Sequence, residues 1–485
     1  MLNKFKKSKI FPYALSFILV LICAYPLFKL EYSTDTYHFA LHNGLGGVTG
    51  AMIYNGRLLI YAFARLFELM GANITGFYYI SFIMALIFLS ISIALLYGIL
   101  KDHMSNLFAF LLSALTILNP MCIEYFLFIE KGFFALGIFV SVLCAKCFIL
   151  FLQGKRIYLL FSFPLLAICA FTYQPLCALF ASLALPFILI YSKGLKKTII
   201  NTLIAISVYG FGTFCNFIVM KSFDMTLRME SGINLRNIYK LLTFGLNFAP
   251  LLLVYAFVFA VLISCILLYY KKTTSRAFTK DALISILKYS FLIVGTLCAI
   301  SAPCVFSLPE HVWFTLRYAY AVGTLIGTIP ILYTYKISYT EEKSRPTWLI
   351  SLIACLLAIT IMLCHAFFFS RHITNDKDRQ DALIIGELIS EYENETGNKI
   401  TKISIYFDSS VKSGFDGTIY IPSCNVRALT RSWCDVSHLS LILDRQFEKI
   451  ENKSNYCEYF KSQNFNNISK SNMIFENNEL HLCVY

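Results

Sequence analysis

Charged side chains are scarce in this chain of 485 residues, because only 14% of the residues are Asp, Glu, Lys or Arg while 58% are hydrophobic. This balance excludes an ordinary soluble domain. Apolar runs of about 20 residues recur from the start of the chain to roughly residue 370, and each can cross a hydrocarbon core of about 30 Å. The sequence therefore predicts an α-helical polytopic membrane protein.

A sustained basic face is also missing, although the formal net charge is +13. The basic residues stand in short clusters between apolar runs, as the positive-inside rule produces, and nucleic-acid binding is excluded for lack of a surface that binds phosphates. The membrane midplane has almost no ionisable residues. Because proton-coupled transporters and pumps generally need buried acids along a path, this scarcity disfavours transport.

Phosphate-cradling glycine loops are absent, residues 371–485 contain no CxxC pair, and the single DxD string, Asp376-Lys377-Asp378, lies in a charged linker with no strand before it. We therefore expect no nucleotide-sugar donor, no required metal and no cofactor. The basic N-terminus and its apolar run end at Tyr25-Pro26 without a small-residue cleavage pattern, which predicts an uncleaved first span with a cytoplasmic N-terminus.

The apolar runs predict about eleven spans, at residues 10–30, 77–99, 105–120, 133–152, 157–173, 175–192, 198–220, 243–270, 282–302, 314–335 and 347–370. The fifth and sixth runs are short and meet at Tyr173-Gln174-Pro175. They form either two spans or a re-entrant pair, which would leave nine spans in all. This order places every strongly basic short loop on the cytoplasmic side.

The polar stretch 31–71, between two long apolar runs, is the predicted active site. It holds one isolated carboxylate, Asp35, then a glycine cluster, which we interpret as a flexible link, and the triplet Asn55-Gly56-Arg57. Within 53–69 the polar side chains recur at helical spacing on one face, at Arg57, Tyr61, Arg65 and Glu68. If residues 53–69 crossed the membrane, all the later basic clusters would face the outer side. We therefore predict that this helix lies in the membrane interface.

A carboxylate and guanidiniums at an outer interface suit sugar transfer from a polyprenyl-phosphate sugar. That reaction needs a base for the acceptor hydroxyl and cations for the departing phosphate. Asp35 is the candidate base, and Arg57, Arg65 and Lys131 are the candidate phosphate ligands. Asn55, Tyr173 and Gln174 are candidates for hydrogen bonding to the sugar or the phosphate.

Structural interpretations of the same residues stay open. Asp35 could be a helix-capping or solvated acid, and Arg57 a lipid-headgroup anchor. Arg65 and Glu68, three residues apart, are favoured as a surface ion pair. Tyr173-Gln174-Pro175 could be a simple turn between two apolar runs.

Beyond the transmembrane part at 1–370, residues 371–485 are polar and predict a small α+β domain outside the membrane. We expect an amphipathic helix at 381–395 and strands at 402–408, 417–421 and 439–443, with 481–485 closing the sheet. This domain holds four of the 16 cysteines: Cys424, Cys434, Cys457 and Cys483. An even number in an exported domain predicts two disulfides, and the most local of three pairings is Cys424–Cys434 with Cys457–Cys483.

The chain resembles the serotype-converting O-antigen glucosyltransferases carried by temperate phages of enteric bacteria. The resemblance rests on Asp35 after the first span, the Asn55-Gly56-Arg57 triplet, the Tyr173-Gln174 pair, the chain length and the C-terminal domain. It implies a GT-C-like fold in the bacterial inner membrane, with a periplasmic C-terminal domain. It also implies transfer of glucose from undecaprenyl phosphate glucose to a sugar of the O-antigen repeat, which converts the serotype.

In that family a β-linked donor gives an α-linked branch, which implies inversion by single displacement. One base then suffices, and this chain has Thr34-Asp35 where the family often has paired acids. The resemblance also implies partner proteins that make and flip the lipid-linked donor. Two alternatives stay open: an O-antigen polymerase, which we would expect to carry its polar mass in an internal loop, and a lipid-linked sugar flippase, which needs a polar cavity through the bundle.

Overall fold

The computed structural model describes residues 10–41, 44–223, 234–240, 278–305, 315–338, 347–408, 410–421 and 425–485, and these are mostly helical. Within them, helices α1 to α17 are Phe11–Ala24, Thr34–Leu41, Leu45–Tyr54, Leu58–Leu69, Ile74–Leu100, Asn106–Ile117, Ile123–Leu127, Lys131–Leu152, Ile157–Thr172, Cys177–Tyr191, Leu195–Ser222, Phe278–Val305, Tyr320–Gly323, Leu325–Ser338, Thr347–Thr396, Asp435–Ile442 and Ser454–Lys461. Strands β1 to β4 are Lys402–Phe407, Glu448–Lys449, Met473–Glu476 and Glu479–Val484.

Seven helical segments of the described chain are long and apolar enough to cross a membrane: Phe11–Phe28, Ile74–Leu100, Lys131–Leu152, Gln174–Tyr191, Leu195–Ser222, Leu287–Val305 and Leu349–Thr396. The pair Asn106–Ile117 and Pro120–Leu127, bent by 41°, would make eight. Shorter apolar helices, Ile157–Thr172 and Tyr320–Leu332, coincide with two more predicted spans, and the predicted span 243–270 lies outside the described residues. The helical membrane class is confirmed, while the number of spans stays a prediction.

The stretch 31–71 folds into three consecutive short helices, α2, α3 and α4, where the sequence predicted a loop, a flexible glycine link and one helix. The flexible link is wrong, because residues 45–54 form α3 despite their glycines. Leu45, Val48 and Met52 recur at three and four residues and are buried in the main core, so packing of one face offsets the low helix propensity of glycine.

Helix α15 is continuous over 50 residues and contains the last predicted span, the predicted linker and the predicted amphipathic helix. The boundary predicted at residue 370 therefore lies inside a helix. No glycine or proline occurs between residues 347 and 385, so nothing in the backbone breaks the helix where the composition becomes polar.

The C-terminal part forms a four-stranded sheet in the order β2-β1-β4-β3, in which β1 pairs in parallel with β2 and β4, and β3 pairs antiparallel with β4. The strands predicted at 402–408 and 481–485 are present and adjacent. The strand predicted at 417–421 is reduced to one bridge, from Ile421 to Asn425, and the strand predicted at 439–443 is wrong, because those residues belong largely to α16. Val436 and Leu439 are buried at helical spacing.

The two largest hydrophobic clusters of the described residues lie in the transmembrane bundle and between α15 and the sheet. At their junction Arg371 on α15 donates hydrogen bonds to the carbonyl oxygens of Tyr32 and Val426, at 2.6 and 3.0 Å. One residue further on, His372 Nδ1 lies 2.6 Å from Glu31 Oε1, and both side chains are buried. Helix α15 thus holds the chain just before α2 and the C-terminal part together.

Candidate functional site

Asp35 lies in the first turn of α2, where the positive end of the helix dipole favours a carboxylate. Its side chain is partly exposed, and we find no hydrogen bond or ion pair to it within the described residues. The charge of Asp35 acts on two buried groups. Burial raises the pKa of Glu130, the Arg57 guanidinium opposes this shift, and the Asp35 carboxylate adds to it. Burial likewise raises the pKa of Cys434, with a contribution from Asp35. Asp35 is therefore a solvent-accessible acid between the bundle and the C-terminal part.

The two short motifs singled out in the sequence meet in space through hydrogen bonds. Gln174 Nε2 donates to the carbonyl oxygen of Asn55 at 3.2 Å and to Asn216 Oδ1 at 3.1 Å. Asn216 Nδ2 in turn donates to the carbonyl oxygen of Gly56 at 2.8 Å. The amide side chains of Gln174 and Asn216 thus hold the backbone of the triplet. The sequence predicted that Gln174 would bind sugar or phosphate and did not predict this structural role.

Gly56 makes this approach possible. Its φ is +67°, a conformation that favours glycine, and a Cβ atom placed there would lie 2.3 Å from Met220 Sδ and 2.9 Å from Gln174 Nε2.

We expect Gly56→Ala to destabilise the protein by more than about 1 kcal/mol, because the positive φ is strained for alanine and the Met220 and Gln174 side chains would have to move. Thermal unfolding of the detergent-solubilised variant measures this effect. Gly50→Ala is the matched control, since nothing lies within 4 Å of a Cβ at that helical position. Equal unfolding temperatures for the two variants would contradict this account.

Arg57 stands at the N-cap position of α4, and its side chain reaches across to the segment before α8, where Nη1 lies 3.1 Å from Glu130 Oε1. Its guanidinium carbon lies 4.9 Å from the centroid of the Tyr173 ring and 5.7 Å from that of Phe134. Only Nη1 has a hydrogen-bond partner among the described residues, so Nη2 and Nε are available to a ligand. A guanidinium held at one nitrogen against an aromatic wall is suited to binding phosphate oxygens.

A second guanidinium, that of Arg317, flanks the same aromatic pair at 5.9 Å from each of Phe134 and Tyr173. Its Nε and its backbone N–H donate to the two carboxylate oxygens of Glu124, at 2.8 and 2.9 Å. Glu124 is fully buried, and such a buried carboxylate requires a cation and hydrogen bonds. The sequence analysis did not predict Arg317 as a site residue. The feature of the sequence that could have indicated Arg317 is its charge, because the chain has few charged residues.

The other two predicted phosphate ligands lie in different surroundings. Arg65 is half exposed and pairs with Glu68 at 2.6 Å, which is the surface pair that the spacing indicated. Lys131 is buried, its Nζ has no hydrogen-bond partner in the described structure, and it lies 3.3 Å from the centroid of the Tyr78 ring. Neither side chain joins Arg57 at the aromatic pair in this conformation.

The C-terminal part contacts α2 directly. The Tyr37 ring packs edge-on against His438 at 4.6 Å and shares a small hydrophobic cluster with Cys434. Burial lowers the pKa of His438 to about 4, so this imidazole is neutral at neutral pH. Asp35 therefore lies two residues before a side chain of α2 that contacts the C-terminal part.

The cysteine prediction is corrected in part. Cys434, Cys457 and Cys483 are free thiols in this structure, so the predicted Cys457–Cys483 bond is not formed, and Cys424 lies outside the described residues. Cys434 packs on α2, whereas Cys457 and Cys483 share a different cluster around Tyr406.

The DxD string is helical, and its two acids have unrelated partners. Asp376 pairs with Lys29 at 3.1 Å, while Asp378 is buried and accepts a hydrogen bond from the backbone N–H of Ala428 at 2.6 Å.

Comparison with protein-family models, with curated proteins and with solved structures finds no match for this chain. Asp35, Arg57 and the aromatic pair Phe134 and Tyr173 are therefore the features from which a function is inferred.

Proposed function

We propose that this protein is a membrane glucosyltransferase that moves glucose from undecaprenyl phosphate glucose to a sugar of the O-antigen repeat. One observation carries the proposal: Asp35, a carboxylate with no partner among the described residues, raises the pKa of the buried Glu130, and Glu130 in turn pairs with Arg57, a guanidinium with donors unused within that part of the chain. The site thus combines a proton acceptor with an anion ligand, the two groups that glycosyl transfer from a lipid phosphate requires.

In this mechanism Asp35 accepts the proton of the acceptor hydroxyl as its oxygen attacks the anomeric carbon of the donor. The bond from that carbon to the phosphate oxygen breaks, and its electron pair leaves with undecaprenyl phosphate. Arg57 stabilises the charge that develops on the departing phosphate, with Arg317 nearby. A single displacement inverts the β-linked donor to an α-linked branch, and it needs only one carboxylate because the phosphate leaves as an anion without a general acid.

The proposal places this reaction at the periplasmic face of the bacterial inner membrane, with a cytoplasmic N-terminus and a periplasmic C-terminal part. The contact of α16 with α2 supports a role of the C-terminal part in presenting the acceptor. Trp433 is the candidate residue for contact with the acceptor sugar. Its ring is half exposed, and the Arg431 guanidinium lies 5.7 Å from it. The resemblance to the phage-encoded serotype-converting family, and closely to its type II member, supports glucose as the transferred sugar.

NMR linkage analysis of O-antigen from cells with and without this gene tests the proposal, provided that the donor synthase and flippase are present. We expect a new α-glucosyl branch only when the gene is present. Altered chain length with unchanged sugar composition would indicate a polymerase instead. No change at all would contradict the enzyme proposal and would leave the protein a membrane binder or transporter.

A further inference from the structure

The hairpin formed by β3 and β4 presents two acids and a histidine on one face. Glu476 and Glu479 are paired directly across a two-residue turn, in which Asn477 has a φ of +51°. Paired residues of an antiparallel ladder point to the same side of the sheet, as do residues two apart in one strand. His481 therefore joins both carboxylates.

The three ligand atoms are spaced as a small divalent cation requires. His481 Nε2 lies 3.4 Å from Glu476 Oε2 and 3.6 Å from Glu479 Oε2. Nitrogen and oxygen ligands at about 2.0–2.2 Å from a tetrahedral zinc ion are themselves roughly 3.3–3.6 Å apart. A cation could thus bind with little movement of the hairpin.

His481 provides an independent indication of a ligand. Its side chain is fully buried, and its Nε2, which faces the two carboxylates, has no hydrogen-bond partner in the described structure. Its Nδ1 lies 3.1 Å from the hydroxyl oxygen of Tyr406, which also accepts the backbone N–H of Lys453 at 2.8 Å; in the tautomer with the proton on Nδ1, the Nε2 lone pair is left for a metal. A metal-bound histidine usually donates its second ring N–H to an oxygen acceptor.

A positive charge already occupies the position. Lys453 Nζ lies 2.6 Å from Glu476 Oε2 and 2.9 Å from Glu479 Oε2, the same oxygens that face His481. Lys453 is partly exposed on a flexible stem, so it can swing into solvent. Tyr456 donates its hydroxyl proton to Glu476 Oε1, which fixes that carboxylate and leaves Oε2 for a cation.

We propose that Glu476, Glu479 and His481 form a divalent-cation site of the zinc class, for which the Lys453 ammonium is an internal competitor. The imidazole favours zinc or cobalt over magnesium and calcium, which prefer oxygen ligands alone. Three protein ligands leave a fourth position for water. The site belongs to the C-terminal sheet and is independent of the proposed glucosyl transfer.

Titration of the full-length protein in detergent with Co²⁺, followed by its visible absorption, tests this site. We expect a saturable band typical of tetrahedral cobalt, abolished by Zn²⁺. Glu479→Gln should weaken binding by at least the 10- to 100-fold that loss of a supporting group costs at metal sites. Asp416→Asn is the matched control, because Asp416 is also a lysine-paired acid of this part of the chain, at 3.0 Å from Lys412.

Lys453→Met separates metal binding from damage to the fold. Removal of the competing ammonium should tighten Co²⁺ binding, whereas a variant that merely unfolds the hairpin would bind less. Absence of a saturable cobalt band in the wild-type protein would overturn the proposal. Equal affinity of the wild-type and Glu479→Gln proteins would also overturn it.

Discussion

Asp35→Asn should transfer glucose about 100- to 10,000-fold more slowly than the wild-type protein, the range that a positioned general base contributes. Asparagine has nearly the same shape as aspartate but has no lone pair basic enough to take the hydroxyl proton. Because Asp35 is partly exposed and has no partner among the described residues, its replacement breaks no contact, and the variant should insert normally. The amount of α-glucosyl branch per molecule of inserted protein is the measurement.

Asp376→Asn is the control for Asp35. Asp376 is an exposed acid near the same junction, paired with Lys29 at 3.1 Å, and its removal should leave transfer unchanged. If Asp35→Asn retains wild-type transfer, Asp35 is not the base. Equal losses in both variants would indicate that a general loss of negative charge at this surface, and not proton transfer, lowers the rate.

Arg57→Ala should have the second largest effect, because it acts on both stability and transfer. It leaves Glu130 buried without its guanidinium, and breaking a buried ion pair in this way costs about 3–5 kcal/mol. Replacement of both partners, in Arg57→Ala with Glu130→Ala, should recover most of that stability because no uncompensated charge stays buried. Transfer should stay about 100- to 1,000-fold reduced in the double variant, since an anion-stabilising donor is missing.

Thermal unfolding in detergent and the O-antigen branch assay separate the two effects of Arg57. The matched control is Arg65→Ala with Glu68→Ala, which removes the exposed ion pair of the same helix. This control should unfold and transfer as the wild-type protein does, because exposed pairs contribute little. Wild-type transfer by the Arg57 and Glu130 double variant would exclude Arg57 as a phosphate ligand.

The length and periodicity of the apolar runs predicted the helical membrane class. The same patterns gave wrong local structure where tertiary packing overrides the conformational preference of individual residues. The glycine cluster before Asn55 looked flexible by composition, yet Val48 and Met52 bury one face of a helix there. The same competition explains α16, in which Leu439 belongs to a helical pattern although its neighbours resemble a strand. Local propensity is a weak prior wherever a buried face can form.

The candidate site was only partly predictable for a different reason. Asp35 and Arg57 are conspicuous because polar residues are rare beside long apolar runs. The Arg317 and Glu124 pair joins residues 193 positions apart, and the choice of partner is a tertiary contact that no local pattern encodes. The burial of Lys131 beneath Tyr78 has the same origin.

The length of the unbroken helix α15 fixes both the height and the rotation of the C-terminal sheet relative to the transmembrane bundle. Each residue of an α-helix adds about 1.5 Å of height and about 100° of rotation. A single residue inserted after Arg371 would therefore lift the C-terminal sheet only slightly but swing α16 away from Tyr37 and Asp35. Seven inserted residues, about two turns, would restore the azimuth at a height about 10 Å greater. The geometry beside Asp35 is thus encoded in the number of residues in this helix as well as in their identity.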